Sequence, residues 1–236
     1  MAEVKYKRIL LKLSGEAMKG NANGLYDYEI VDKICEVIAK LTANGVQVAI
    51  VVGAGNIWRG GRADKSMDRT RADHMGMLGT AINALCLKDS LERFDVDARV
   101  MTAVEMRTFA EPYVKDDAVR YLNEGKVVIF GCGTGSPYFS TDTAAVLRAT
   151  EIGAEAVLFA KNIDGVYTAD PKKDPTAKKL DEISYIDILK NDLKVMDLTA
   201  ASFSMENHLT ILVFGLDDPE NIIRVANGEA IGTIVK

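Results

Sequence analysis

The chain is poor in the residues that build metal centres and disulfide frameworks. Its 236 residues include only two histidines, His74 and His208, and three cysteines, Cys35, Cys86 and Cys132. A structural zinc site takes four Cys or His ligands at short spacings, whereas these cysteines are too widely spaced for a CxxC motif. Their odd number also argues against a disulfide framework. We therefore expect a reduced protein without a zinc site.

Long apolar runs and an excess of positive charge are also missing. No apolar stretch approaches the roughly 20 residues of a membrane span, and the first residues contain no signal-peptide core. The net charge of −5 argues against general electrostatic binding to nucleic acid. We expect a cytoplasmic protein that binds neither membranes nor nucleic acid. Any anionic substrate must be held by local cationic pockets.

The apolar residues that are present alternate between strand and helix patterns from end to end. The pattern predicts strands at 8–13, 47–52, 98–101, 127–130, 156–159, 210–214 and 231–235. It predicts helices at 30–41, 74–94, 115–123, 141–152, 184–190, 197–208 and 219–227. This alternation is typical of an α/β protein with a largely parallel sheet covered on both faces. The chain contains no flexible linker, so we expect a single domain over residues 1–236.

Two loops that follow apolar strands combine glycine with a cationic side chain. Lys12 ends the first strand before Ser14 and Gly15, and Arg59 lies in the glycine-rich run 53–61 after the second strand. Glycine lets backbone N–H groups approach a phosphate closely, and lysine or arginine supplies charge. Neither loop has the P-loop spacing, and Trp58 occupies the third glycine position of a dinucleotide fingerprint. Taken alone, Lys12 could also be a strand lysine that reaches solvent.

A third glycine-rich loop, residues 131–142, leaves a buried strand and enters a helix that Ser140 or Thr141 can cap. Such a helix N-terminus is an anion site. Asp142 is either a capping charge or a group that orients a lysine beside a reacting phosphate. Three loops of this kind indicate more than one nucleotide or phosphate, and hence a transferase rather than a simple binder.

Two further segments each allow a structural and a functional interpretation. Asp73 precedes the predicted helix start at His74, so it can cap the helix or accept a hydrogen bond from a sugar hydroxyl. Spacing alone favours the cap. The segment 161–171 contains Asp-Gly and Asp-Pro turns and is followed by a lysine-rich stretch. Taken alone, it predicts a hairpin with a solvated basic tail.

Several runs nevertheless resemble the amino acid kinase fold family. They are KLSGE at 12–16, GAGN at 53–56, GTG at 133–135 and DGVYTADP at 164–171. Within that family, DHMGM at 73–77, TGSPYFSTD at 134–142 and KVMDL at 194–198 are similar to the bacterial uridylate (UMP) kinases. The resemblance covers essentially the whole chain. It implies a three-layer α/β/α sandwich and Mg2+-dependent, in-line phosphoryl transfer from ATP to UMP in pyrimidine nucleotide biosynthesis.

The resemblance also implies roles for individual residues. The implied catalytic residues are Lys12, Arg59 and Asp142. The implied ATP-binding residues are Lys12, Leu13, Ser14, Gly15, Gly55, Arg59, Asn162, Tyr167 and Asp170. The implied UMP-binding residues are Ala54, Asp73, Thr134, Gly135, Ser136, Pro137, Tyr138, Phe139, Ser140 and Thr141. A soft boundary near residue 160 would then separate an N-terminal acceptor lobe from a C-terminal ATP lobe.

Regulation and assembly are implied in the same way. The family is an allosteric homohexamer that GTP activates and UTP inhibits. The implied effector segment is Gly20, Asn21, Ala22, Asn23, Gly24 and Leu25. It departs from the family pattern in its glycines and lacks an aromatic residue, which predicts weaker GTP activation.

Two alternatives stay open on the sequence. Another small-acceptor kinase of this fold, acting on carbamate or an amino-acid carboxylate, would not need Asp73 or the aromatic and hydroxyl residues at 138–141. A non-catalytic nucleotide- or oxyanion-binding storage protein is the second alternative. The placement of Lys12 and Arg59 for phosphoryl transfer argues against it.

Overall fold

The structure, a computed structural model, describes residues 4–20, 23–58, 66–171, 173–191, 193 and 195–236. The strands are β1 (Arg8–Leu13), β2 (Gln47–Val52), β3 (Ala98–Thr102), β4 (Glu111–Pro112), β5 (Val127–Gly131), β6 (Ala156–Lys161), β7 (Val166–Tyr167), β8 (Lys179–Leu180), β9 (Glu182–Ile183), β10 (Ile211–Gly215) and β11 (Thr233–Val235). The helices are α1 (Gly15–Lys19), α2 (Tyr28–Ala43), α3 (Arg69–Arg93), α4 (Lys115–Asn123), α5 (Thr141–Ile152), α6 (Tyr185–Lys190), α7 (Leu198–Glu206) and α8 (Asn221–Ala226).

The main sheet has the strand order β4-β3-β5-β2-β1-β6-β10-β11-β9. Its strands pair in parallel, apart from β10 with β11, which are antiparallel. The small strands β7 and β8 form a separate antiparallel pair. The predicted α/β class with a largely parallel sheet is therefore confirmed. Within the described residues, no helix has both the length and the apolar character needed to cross a membrane.

Alternating side chains along β1 divide the interior into two layers of core. Ile9 and Leu11 pack with residues of α2, α3 and α8, whereas Leu10 packs with residues of α4, α5, α6 and α7. Successive strand residues point to opposite faces of a sheet, so Lys12 follows Leu10 onto the face that α5 covers. This arrangement makes three layers, with a polar side chain of β1 directed towards the start of α5.

Most predicted helices and strands lie within two residues of the observed bounds, but two predictions need correction. Helix α3 begins at Arg69 instead of His74, and its N-cap is Asp68, which accepts a hydrogen bond from the Arg71 N–H at 3.0 Å. Asp73 therefore lies inside the helix, and the prediction that it is the cap is wrong. The predicted hairpin is also wrong in its extent, because β7 pairs with β8, which begins at Lys179 at the end of the lysine-rich stretch.

Helix α3 buries only some of its apolar side chains. Leu91 and Ala81 are buried, but Leu78 is 53% exposed. The buried face consists largely of small residues such as Ala84, together with the polar Asn83, which has no exposed surface. Small side chains let α3 approach the sheet closely, whereas Met75, Leu78 and Ile82 stay exposed on its outer face.

Candidate active site

The parallel sheet brings the three glycine-rich loops and the end of β6 to one edge. In the centre, β1 pairs with β2 on one side and β6 on the other, so that Lys12 lies between Val51 and Phe159. The chain continues from β1 to β2 in one direction but reaches β6 in the other. Ligands of open α/β sheets bind at the carboxyl ends of the strands where the strand order changes direction. The candidate site lies at this point.

Two lysines share one carboxylate at the carboxyl ends of β1 and β6. Lys12 Nζ lies 2.6 Å from Asp142 Oδ1, and Lys161 Nζ lies 3.4 Å from Asp142 Oδ2. The Lys12 and Asp142 side chains are only 9% and 15% exposed. Both ammonium groups also lie near the Phe159 ring, at 5.7 and 5.2 Å from its centroid. We call these three residues, Lys12, Asp142 and Lys161, the lysine–aspartate cluster.

Charge interactions within the lysine–aspartate cluster act together with burial on two of its members. Burial raises the pKa of Asp142, but the charges of Lys12 and Lys161 outweigh burial and bring that pKa below its ordinary value. Burial lowers the pKa of Lys161, and repulsion by Lys12 adds to this effect, against attraction by Asp142. Each ammonium has three N–H donors, so both lysines can meet further oxygen atoms. The cluster is therefore suited to a polyanion.

The N-terminus of α5 is organised by hydroxyl groups and by a second aspartate. Ser140 caps α5 by accepting hydrogen bonds from the backbone N–H groups of Asp142 (3.0 Å) and Thr143 (3.2 Å). The hydroxyls of Ser140 and Thr143 both donate to the carboxylate of Asp197, which caps α7. The predicted Ser140 cap is thus present. The fold joins α5 to α7 beside the lysine–aspartate cluster.

The first and second glycine-rich loops are in direct contact. A Cβ at Gly15 would lie 2.2 Å from Asn56 Oδ1 and 2.7 Å from the Gly53 carbonyl oxygen. Only glycine fits there without moving the second loop. Ser14 caps α1 by accepting a hydrogen bond from the Ala17 N–H at 3.1 Å. The segment after Lys12 is therefore fixed against the segment that follows β2.

A cavity of about 160 Å³ lies between the second loop, the start of α3 and the third loop. Seven of the residues predicted to bind UMP line it, namely Ala54, Asp73, Thr134, Ser136, Phe139, Ser140 and Thr141. Gly135, Pro137 and Tyr138 belong to the same loop but are not among its lining residues. Trp58 and Thr80, which were not among the predicted site residues, also line it. We call this space the acceptor cavity.

Asp73 connects the start of α3 to the third loop. Its carboxylate accepts hydrogen bonds from the Arg69 side chain, with both oxygens 2.9 Å from Nε, and from the Tyr138 N–H at 2.8 Å. The Arg69 guanidinium also lies 5.3 Å from the centroid of the Tyr138 ring. Asp73 thus lines the acceptor cavity as a charged acceptor held in place by its neighbours, which is what a ribose hydroxyl would need.

A larger cavity of about 570 Å³ begins at Lys161 and extends along β7. Tyr167 and Asp170, both predicted to bind ATP, line this cavity, which we call the donor cavity. The Tyr167 hydroxyl donates to Asp164 at 2.9 Å. Asn162, also predicted to bind ATP, is exposed and is not among the lining residues. Lys161 belongs both to this cavity and to the lysine–aspartate cluster.

Some predicted site residues lie outside the described part of the chain. Arg59, Asn21 and Ala22 are among them. Of the effector segment, Gly20, Asn23, Gly24 and Leu25 are described, and the Leu25 carbonyl accepts a hydrogen bond from Asn56 at 3.0 Å. This contact joins the effector segment to the second glycine-rich loop.

Sequence reasoning missed Lys161 and Asp197 as site residues. Lys161 ends β6 after an apolar run, much as Lys12 follows an apolar run near the end of β1. That similarity to Lys12 could have identified Lys161 as a candidate site residue from the sequence. Asp197 lies in the run 194–198 that carries part of the resemblance, but nothing local predicts its contact with Ser140.

Comparison with known proteins agrees with this geometry. The family model described as the amino acid kinase family matches residues 7–215 of the chain. The chain belongs to the amino acid kinase family. The lysine–aspartate cluster, the three glycine-rich loops and β7 all fall inside the matched range.

Relatives within the amino acid kinase family match over nearly their full length. A curated uridylate kinase from Pediococcus pentosaceus is 52% identical, with 100% of this chain and 99% of that protein covered. The crystal structure of UMP kinase from Bacillus anthracis has a TM-score of 0.95 at 38% identity, covering 98% of this chain and 96% of that one. The crystal structure of UMP kinase from Ureaplasma parvum has a TM-score of 0.93 at 38% identity, covering 98% of each chain.

Proposed function

We propose that this chain transfers the terminal phosphoryl group of ATP to UMP, giving UDP and ADP. The observation that carries the proposal is the position of the lysine–aspartate cluster between two cavities. Asp142 follows Thr141, which lines the acceptor cavity, and contacts Lys161, which lines the donor cavity. A phosphoryl group passing from one cavity to the other would pass Lys12. The proposal is supported by the uridylate kinase relatives.

The chemistry needs charge neutralisation more than proton transfer. The acceptor oxygen of UMP belongs to a phosphate that is largely ionised at neutral pH, so no strong general base is required. The transferring phosphoryl group carries negative charge on its equatorial oxygens. Lys12 and Lys161 neutralise that charge, and Asp142 keeps the two ammonium groups together. The N-terminus of α5 adds a favourable dipole.

Each nucleotide is assigned to one cavity. UMP occupies the acceptor cavity, with Asp73 on its ribose and residues 134–141 around the base and phosphate. ATP occupies the donor cavity, with Tyr167 and Asp170 beside adenosine and its phosphates along residues 12–15, Gly55 and Arg59. The lobe boundary near residue 160 then separates the residues around UMP from Tyr167 and Asp170 beside adenosine.

The residues present also fit a Mg2+ ion brought by ATP. Proteins usually hold Mg2+ through one or two carboxylates together with substrate phosphates. Asp142 supplies such a carboxylate beside the expected phosphates, and the described residues contain no group of three or more His, Cys, Asp or Glu able to hold a metal alone. When bound, Mg2+ neutralises charge on the phosphate oxygens.

Assembly and regulation are part of the same proposal. Met75, Leu78 and Ile82 are 39%, 53% and 50% exposed at helical spacing on α3, and they form an apolar surface suited to contact between subunits of a homohexamer. UTP carries the uracil and ribose of UMP and competes for the acceptor cavity. GTP acts weakly through the segment 20–25, whose Leu25 contacts Asn56.

A coupled assay for ADP release tests the proposed reaction. Purified protein is given saturating ATP and Mg2+ with UMP, carbamate or an amino acid as the acceptor, and UDP is identified by chromatography. We expect ADP release with UMP alone. Activity with another acceptor would favour a different kinase of this fold, and nucleotide binding without ADP release would favour a storage protein.

A further inference from the structure

The buried side-chain amide of Asn83, on α3, connects segments whose relative positions matter for the proposed reaction. The Asn83 side chain has no exposed surface. Its Nδ2 donates to the Gly53 carbonyl oxygen at 2.7 Å and to Asn56 Oδ1 at 2.8 Å. Its Oδ1 accepts from the Tyr26 hydroxyl at 2.8 Å and from Asn56 Nδ2 at 3.2 Å. A side-chain amide has two N–H donors and an oxygen that can accept two hydrogen bonds, so the full hydrogen-bonding capacity of Asn83 is used.

The environment also fixes the orientation of this amide. If its oxygen and nitrogen were exchanged, Oδ1 would face the Gly53 carbonyl, another acceptor, at 2.7 Å. The Tyr26 hydroxyl donates to Asn83 Oδ1 at 2.8 Å. Burial, followed by the nearby Cys86 and Tyr28, raises the pKa of Tyr26 to about 12. The network therefore has one satisfied arrangement.

This arrangement holds the second glycine-rich loop on both sides of Ala54 and Gly55, the two residues of that loop assigned above to the nucleotides. Gly53 and Asn56 flank the Ala54–Gly55 pair, and Asn56 also donates to the Leu25 carbonyl at 3.0 Å. Gly15 of the first loop packs directly on Gly53 and Asn56. A shift of the amide would therefore move the two loops relative to each other.

We propose that Asn83 is a positioning residue for phosphoryl transfer, which holds the second glycine-rich loop against the first through Gly53 and Asn56, with Tyr26 fixing its amide. This inference rests on the proposed kinase function. Asn83 has no exposed surface, so its side chain has no direct access to a bound nucleotide. Its effect is on the alignment of donor and acceptor phosphates, and a misplacement of about 1 Å can cost roughly 100-fold in rate.

The test compares Asn83→Leu, of similar volume, with Ser90→Ala, which removes another fully buried polar group from the same helix. The Ser90 hydroxyl donates to Asp32 at 2.7 Å, away from the loops. For Asn83→Leu we expect kcat to fall about 10- to 100-fold, with both KM values within about threefold of wild type. Ser90→Ala should keep wild-type kcat. Melting temperatures are measured on the same preparations.

A double-substitution cycle separates positioning from loss of structure. Tyr26→Phe removes one hydroxyl and should lower kcat by about two- to fivefold, but it should have no further effect in the Asn83→Leu background. If Asn83→Leu does not fold, Tyr26→Phe alone decides, and unchanged kcat overturns the inference. It is likewise overturned if folded Asn83→Leu retains wild-type kcat. A wild-type protein that forms no UDP refutes the proposed function itself.

Discussion

Replacing Lys12 by methionine removes one positive charge from the lysine–aspartate cluster with little change in side-chain length. Lys161 stays 3.4 Å from Asp142, so the carboxylate keeps a partner. The lost interaction is one electrostatic donor to the transferring phosphoryl group. Removing one such donor from an enzyme typically costs about 10²- to 10³-fold in kcat. We expect a loss of that size for Lys12→Met, with smaller changes in both KM values.

Stability should change much less than rate. Breaking a buried ion pair costs about 3–5 kcal/mol when the partner is left uncompensated, but Lys161 continues to compensate Asp142 here. We expect a loss below about 2 kcal/mol, or a Tm lower by at most roughly 4–8 °C for a chain of this size. The rate and Tm are measured on one preparation, with ADP release as the assay.

Lys40→Met is the matched control for Lys12→Met. Lys40 also bridges two carboxylates, with Nζ 3.2 Å from Glu36 and 2.7 Å from Glu220, but it lies on the surface. Exposed ion pairs contribute little, so both kcat and Tm should stay near wild type. A folded Lys12→Met protein with kcat within threefold of wild type would refute the role assigned to Lys12.

Three further predictions concern charge, ribose binding and assembly. The Asp142 carboxylate raises the pKa of Lys161, whereas burial lowers it. Asp142→Asn should therefore move the alkaline limb of the plot of kcat against pH to lower pH. An unmoved limb would contradict the electrostatic coupling of Asp142 with Lys161. Asp73→Ala should raise KM for UMP about 10- to 100-fold. Asp68→Ala should instead lower the free energy of unfolding by roughly 1 kcal/mol without changing KM. If Asp73→Ala lowers stability but leaves KM for UMP unchanged, Asp73 is a structural residue. Leu78→Glu should reduce the mass seen by light scattering, and an unchanged hexamer would exclude this surface.

The fold was largely predictable because apolar periodicity records which residues are buried. The strand at 8–13 and the helix at 141–152 were predicted at their observed bounds, since strong apolar patterns and clear caps mark them. The start of α3 was missed because Asp73 resembles a cap as closely as Asp68 does. Local sequence cannot tell which of two aspartates meets the first turn.

The candidate site was predictable where residues follow a strand or begin a helix. Lys12 and Asp142 met that condition, because Lys12 lies near the end of β1 and Asp142 lies in the first turn of α5. The structure brings their side chains within 2.6 Å of each other. Asp197 and Asn83 did not, because their partners are distant in sequence. Contacts such as Ser140 with Asp197 depend on how α5 packs against α7, which no local pattern encodes.

The central position of β1 has a consequence for how the protein is made. One edge of β1 pairs with β2 early in the chain, but Ile9 on its other edge waits for Ala156 in β6. Until the ribosome has released β6, the N-terminal half carries an open edge of apolar strand, the kind of surface that recruits other chains. Because Lys161 is the last residue of β6, the contact of Lys12 and Lys161 with Asp142 also forms only after β6 has been made. A nascent chain that stops before β6 should therefore depend on chaperones and be degraded rapidly.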